Sequence, residues 1–151
     1  MANAKYTVII ADYDAVSRKN RENMDLKNKI MKTILLVEDD KFLIDIYTKQ
    51  LSRSGYNVLV ASDGESALNK IKEINPDLVM LDIILPKMSG WEVLRTARED
   101  LNLKDLKVVI LSALSQKEDL EKGEKYGAVR YLSKADNTPS QVAEEVKKIL
   151  S

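Results

Sequence analysis

From Lys32 onward, short runs of aliphatic and β-branched residues alternate with stretches in which apolar residues recur every three or four positions. The runs are TILLV (Thr33 to Val37), YNVLVA (Tyr56 to Ala61), DLVML (Asp77 to Leu81), KVVIL (Lys107 to Leu111) and VRYL (Val129 to Leu132). Four of them are almost continuously apolar, which is the pattern of parallel strands buried on both faces. Between them, Leu43, Ile46, Tyr47 and Leu51 share one helical face, and Leu68, Ile71 and Ile74 share another. Val93, Leu94, Ala97 and Leu101 form a third stripe, and Val142, Val146, Ile149 and Leu150 close the chain. Lys117 to Tyr126 offers only Leu120 and Tyr126 as an apolar face and is the faintest of the helices. Ser89 with Glu92 and Thr138 with Gln141 fit the capping box, and Pro139 falls at a first helical position. The pattern predicts an α/β fold over residues 31–151, a (βα)5 doubly wound parallel sheet with right-handed crossovers and helices on both faces.

Residues 1–30 stand apart as an N-terminal extension, and Met31 reads as a natural start. TVIIADYDAVSRK (Thr7 to Lys19) looks like a partial copy of the first strand and its acidic turn, an extra strand–helix segment. Asp12 falls opposite Glu38, Tyr13 opposite Asp39 and Asp14 opposite Asp40, so the copy lacks the central acid and is not expected to hold a metal. A VIIA strand would have to add to a sheet edge, or exchange into a second copy to make a homodimer. The plainer alternative is a flanking strand and polar helix that carry no chemistry.

Composition narrows the function. Lys plus Arg equals Asp plus Glu at 24 each, which argues against binding nucleic acid or an anionic membrane through bulk charge. The chain has neither cysteine nor histidine. Disulfides, thiolate nucleophiles, Cys/His zinc sites and triads with a histidine base are therefore excluded. The apolar runs fall far short of the ~20 residues that span a bilayer, and the N-terminus has no leader-like apolar core, so a cytoplasmic location is expected.

The ligand site of such a sheet lies beyond the carboxyl ends of its strands. There the first strand delivers Glu38, Asp39 and Asp40, the third Asp82, the fourth Ser112 and the fifth Lys134. In the strand order 2-1-3-4-5, strands one, three, four and five are consecutive neighbours only ~4.8 Å apart, so these groups crowd one pocket. Any one of them alone reads as a cap or a surface residue. Asp40 is expected to do no more than cap the first helix of the repeat.

VEDD at 37–40, DLVMLDIILPKMSG at 77–90, ILSA at 110–113 and GAVRYLSKA at 127–135 together resemble the receiver domain of two-component response regulators, which is flavodoxin-like. The resemblance covers all of 31–151. It implies a phosphorelay receiver, a signalling domain rather than a conventional enzyme. Asp82 matches the phosphoacceptor, Glu38 and Asp39 the acidic pair that holds Mg²⁺, Ser112 and Lys134 the switch hydroxyl and the lysine, and Tyr131 the switch aromatic. An all-oxygen site with open positions suits Mg²⁺. Asp39, Asp82 and the Ile84 backbone carbonyl are expected to bind it directly, and Glu38 through water. The implied partners are a sensor histidine kinase or phosphotransfer protein as donor, and a downstream protein target. That target would dock on the face built from the fourth helix of the repeat, the fifth strand and the fifth helix. The family has proline after the lysine, whereas Ala135 follows Lys134; a trans bond is expected there, because a cis bond to a non-proline costs ~2.5–4 kcal/mol.

Rival chemistries fit less well. A phosphatase of the haloacid dehalogenase type needs a second acid two residues after the strand-end Asp, where Ile84 stands. A flavin mononucleotide carrier needs a phosphate loop after the first strand, and the acids there would repel phosphate. A scaffold-only receiver usually lacks part of the acid–lysine set, which is complete here. Ile84 and Leu114, two residues beyond Asp82 and Ser112, are apolar where a polar group could orient a hydrolytic water. Ile84→Asn and Leu114→Glu should therefore each speed the decay of phosphorylated protein in Mg²⁺, followed by intact mass; unchanged decay in both refutes this account.

Overall fold

The computed structural model describes the backbone of residues 3–151 and the side chains of 13–26 and 30–151. The chain falls into two units, 1–31 and 32–151. The first is one helix, α1 (Asn3–Ile30). The expected extra strand at Thr7 to Ala11 is therefore corrected, and strand addition or strand exchange through it falls with the strand. A four-residue apolar run is ambiguous between strand and helix, and the stretch after Ala11 (Ala15, Arg18, Lys19, Arg21, Glu22, Met24) is rich in good helix formers. Tyr13 and Asp14 are exposed on this helix; the side chain of Asp12 lies outside the described residues.

The second unit runs β1 (Thr33–Val37), α2 (Lys41–Arg53), β2 (Asn57–Ala61), α3 (Gly64–Ile74), β3 (Leu78–Leu81), α4 (Gly90–Arg95), β4 (Lys107–Ser112), α5 (Lys117–Lys125), β5 (Arg130–Ser133) and α6 (Pro139–Leu150). The five strands are parallel in the order β2-β1-β3-β4-β5, as expected from the sequence. Alternate strand residues feed two cores. Ile34, Leu36, Met80, Val109 and Leu111 pack with Tyr47, Leu51, Val142 and Val146 of α2 and α6. Leu35, Val37, Val79, Leu81 and Ile110 pack with Leu68, Ile71, Val93 and Leu94 of α3 and α4. Both faces are covered, which is why the strand sequences are unbroken apolar runs rather than alternating ones.

Helix ends have the expected chemistry. Asp40 caps α2 by accepting from the Phe42 and Leu43 amides, and Ser89/Glu92 and Thr138/Gln141 form complete capping boxes. Asp63 caps α3, and Gln116 pairs with Asp119 at the start of α5, so the faintest helix is held by its own cap. One element has no counterpart in the sequence pattern. After Arg95 the chain widens into a π turn over Thr96–Asp100, closed by Leu101 N–H donating to Thr96 C=O at 3.0 Å. In this turn Ala97 is buried and Arg98 is half-buried. Its guanidinium donates to three carbonyls: Leu103 (2.5 Å), Tyr126 (3.1 Å) and Gly127 (2.9 Å).

The loop from β3 to α4 turns through Lys87, whose φ of 67° is left-handed. A residue with a Cβ carries roughly 1–2 kcal/mol of strain there, and its 3.6 Å pairing with Asp63 is too exposed to offset much of it. Lys87→Gly should therefore raise the melting temperature by a few degrees, from about 1 kcal/mol of relief. A fall in thermal denaturation would show the Lys87–Asp63 pair to be worth more than the strain.

Candidate functional site

Parallel pairing sets the carboxyl ends of β1 and β3 side by side, with Asp82 N–H donating to Val37 C=O at 3.0 Å. The next residues therefore project together. The carboxylate oxygens of Glu38, Asp39 and Asp82 lie within 4.8 Å of one another. Glu38 and Asp82 are only 2% and 6% exposed, and Asp39 faces solvent. Lys134 reaches in from just beyond β5 and spans the two buried acids, its Nζ donating to Glu38 Oε2 at 2.6 Å and Asp82 Oδ2 at 2.9 Å. The second oxygen of each acid is occupied by backbone. Glu38 Oε1 accepts from the Asp40 amide at 3.2 Å, and Asp82 Oδ1 from the Ile83 amide at 2.7 Å, with a longer approach from Ile84 at 3.4 Å.

Burial is the largest influence on Glu38 and raises its carboxyl; the hydrogen bond from Lys134 opposes this, and the charge of Asp82 adds to it. Burial likewise presses the Lys134 ammonium down, but its hydrogen bonds and attraction to Glu38 and Asp82 outweigh it, and the net direction is up. Lys134 therefore stays charged at neutral pH. Three carboxylates against one ammonium leave two negative charges in a pocket whose donors are all oxygen. A hard divalent cation fits that deficit. Glu38 and Asp82 are each engaged on both oxygens, and among the described residues Asp39 joins no ion pair.

Ser112 is wholly buried at the end of β4, and its Oγ accepts from the Leu114 amide at 3.2 Å. The Leu114 carbonyl in turn accepts from the Tyr131 hydroxyl at 2.6 Å. One loop residue thus connects both expected switch groups. The Tyr131 ring is half-buried and packs against the core cluster that contains Ile110. Gly123 of α5 leaves room for it: a Cβ there would meet the ring at 3.0 Å. Trp91 lies 6.5 Å from Tyr131, with the Lys122 ammonium 4.9 Å over its ring. Ile84 is 59% exposed at the pocket mouth, and Leu114 is half-buried. The Lys134–Ala135 peptide is trans.

Two contributors escape a reading of the sequence. A Cβ on Gly90 would fall 2.2 Å from the Asp82 carbonyl oxygen, so only glycine lets α4 start against the backbone of Asp82. A glycine directly after a cap residue is the available signal. Tyr47 is buried behind the pocket; burial chiefly raises its hydroxyl, which also feels the charges of Lys134, Glu38 and Asp82. In the sequence it is one more apolar stripe residue.

Comparison with known proteins agrees with this fold. Residues 34–147 match the profile of the family described as "Response regulator receiver domain". The alkaline phosphatase synthesis transcriptional regulatory protein PhoP of Bacillus subtilis is 38% identical over 119 residues, covering 79% of this chain and 48% of PhoP. The polar-differentiation response regulator DivK of Brucella ovis is 32% identical over 108 residues, 72% of this chain and 88% of DivK. The chain spans about half the length of PhoP and of two further curated relatives. Among solved structures, a CheY-like receiver domain protein from Methanospirillum hungatei superposes with a TM-score of 0.72 at 30% identity, covering 80% of this chain and 94% of that one. Chemotaxis protein CheY4 of Vibrio cholerae gives 0.73 at 26% identity, over 80% and 99%. Among the described residues, no helix is long and apolar enough to cross a membrane.

The crowding of carboxylates makes a stability prediction. Asp39→Asn removes one of three mutually repelling charges, so without metal the melting temperature should rise by about 4 °C, on the order of 1 kcal/mol. The same variant should lose the further rise that Mg²⁺ gives the parent. Thermal denaturation with and without Mg²⁺ decides; an unchanged Mg²⁺ response excludes Asp39 from the cation site.

Proposed function

The chain belongs to the response regulator receiver domain family, signalling domains of two-component systems, and from that membership we propose that Asp82 is its phosphoacceptor. The observation that carries this is the convergence on one buried carboxylate of Lys134, two acidic neighbours and two backbone amides. An oxygen of Asp82 attacks the phosphorus of a phosphohistidine in line. The O–P bond of an acyl phosphate forms, the P–N bond breaks, and its electron pair stays with the imidazole, which takes up a proton. The chain has no histidine, so the donor imidazole belongs to a sensor kinase or phosphotransfer protein.

The chain's contribution is positioning and charge. The Ile83 amide and Lys134 fix the two carboxylate oxygens, and the ammonium is placed to meet the negative oxygens of the arriving group. Asp39, Asp82 and the Ile84 carbonyl would hold Mg²⁺, with Glu38 acting through water; when bound, the ion offsets charge on the transferring phosphoryl oxygens. The Ser112 hydroxyl can donate to a phosphoryl oxygen on Asp82. As it moves it draws on the Leu114 amide, and the Leu114 carbonyl carries the change to Tyr131. The readout is the α5–β5–α6 face, where Leu120 and Val129 are exposed and where a downstream protein would dock.

The test is intact-mass analysis after incubation with acetyl phosphate and Mg²⁺. The parent should gain the mass of one phosphoryl group, and Asp82→Asn should gain none. Full labelling of Asp82→Asn overturns the assignment.

A further inference from the structure

Lys134 is the only cation paired with Glu38 or Asp82 among the described residues, and it sits on a five-residue connection between β5 and α6. Its long side chain has up to ~2 kcal/mol of rotamer entropy to lose, so the place of its ammonium depends on how firmly its backbone is held. Ala135 does not restrict the preceding residue as a proline would. Hydrogen bonds hold it instead. Lys134 N–H donates to the Ser112 carbonyl at 2.9 Å, and the next amide, of Ala135, donates to Ser133 Oγ at 3.2 Å. The Ser133 carbonyl accepts three donors: the amides of Asp136 (3.3 Å) and Asn137 (3.2 Å), and the Asn137 side-chain Nδ2 at 2.9 Å. The carboxamide bond is the shortest of the three, and Asn137 is half-buried where it makes it.

That carboxamide is not needed to begin α6. Thr138 and Gln141 already close the helix start on each other, at 2.9 and 3.2 Å. What it does fix is the peptide that carries Lys134, from the side opposite the β4 pairing. We propose that Asn137 is a positioning residue for Lys134. Its carboxamide, by anchoring the Ser133 carbonyl, holds the ammonium between Glu38 and Asp82 and so sets the rate of phosphoryl transfer. The proposal rests on Asp82 being the phosphoacceptor.

The experiment measures the rate of labelling by acetyl phosphate in Mg²⁺, by intact mass, together with Mg²⁺ affinity and melting temperature. The proteins are the parent, Asn137→Ala, Asn137→Leu (similar in shape, with no donor), Lys134→Met, and Lys134→Met combined with Asn137→Ala. Both Asn137 variants should label about threefold to tenfold more slowly, the loss expected for one hydrogen bond, without weakened Mg²⁺ binding. With Lys134 gone, Asn137→Ala should cost nothing more, because nothing is left to position. Parent-like labelling of the Asn137 variants overturns the proposal, as does an equal loss in both backgrounds, which would mark a purely structural role. A parent that takes up no phosphoryl group refutes the Asp82 reading itself, and this proposal with it.

Discussion

One ammonium group between two buried carboxylates governs the arrangement of this domain's upper edge. Parallel pairing places the ends of β1 and β3 a single strand spacing apart, so Glu38 and Asp82 repel at close range in a place water scarcely reaches. Burial alone would drive Glu38 toward its neutral form. Lys134 keeps the pair chargeable, but it cannot neutralise Asp39 as well. The pocket is thus left short of positive charge, which costs stability and suits a hard divalent cation.

The two cores make that tension tolerable. Strand residues packed above and below the sheet hold the backbone of Asp82 and Ser112 in register, and neither residue depends on a flexible loop for its position. The link between Ser112 and Tyr131 lies just outside this frame. Leu114, bonded through its amide to Ser112 and through its carbonyl to Tyr131, belongs to the segment between β4 and α5. Strands hold the site residues, and a short loop joins Ser112 to Tyr131 by hydrogen bonds.

The sheet and the pocket are legible in the sequence because both rest on local signals: apolar runs of strand length, and polar residues at their ends. The caps at Asp40, Ser89 and Thr138 are legible for the same reason. Three features are not. TVII in the extension reads as a strand because β-branched residues favour one, yet a strand needs a partner edge and a helix satisfies its own backbone. The π turn at Thr96–Asp100 adds one residue to a helical turn and leaves almost no mark on an apolar stripe. The hydrogen bonds around Ser133 depend on how a loop closes, which no periodicity encodes.

Arg98 gives α5 a fulcrum. By donating to the Tyr126 and Gly127 carbonyls it pins the C-terminal end of that helix to the connection before β4, while the pairing of Gln116 with Asp119 closes the other end only on itself. Any tilt of α5 would therefore be smallest at Tyr126, beside the clamp, and largest at Lys117.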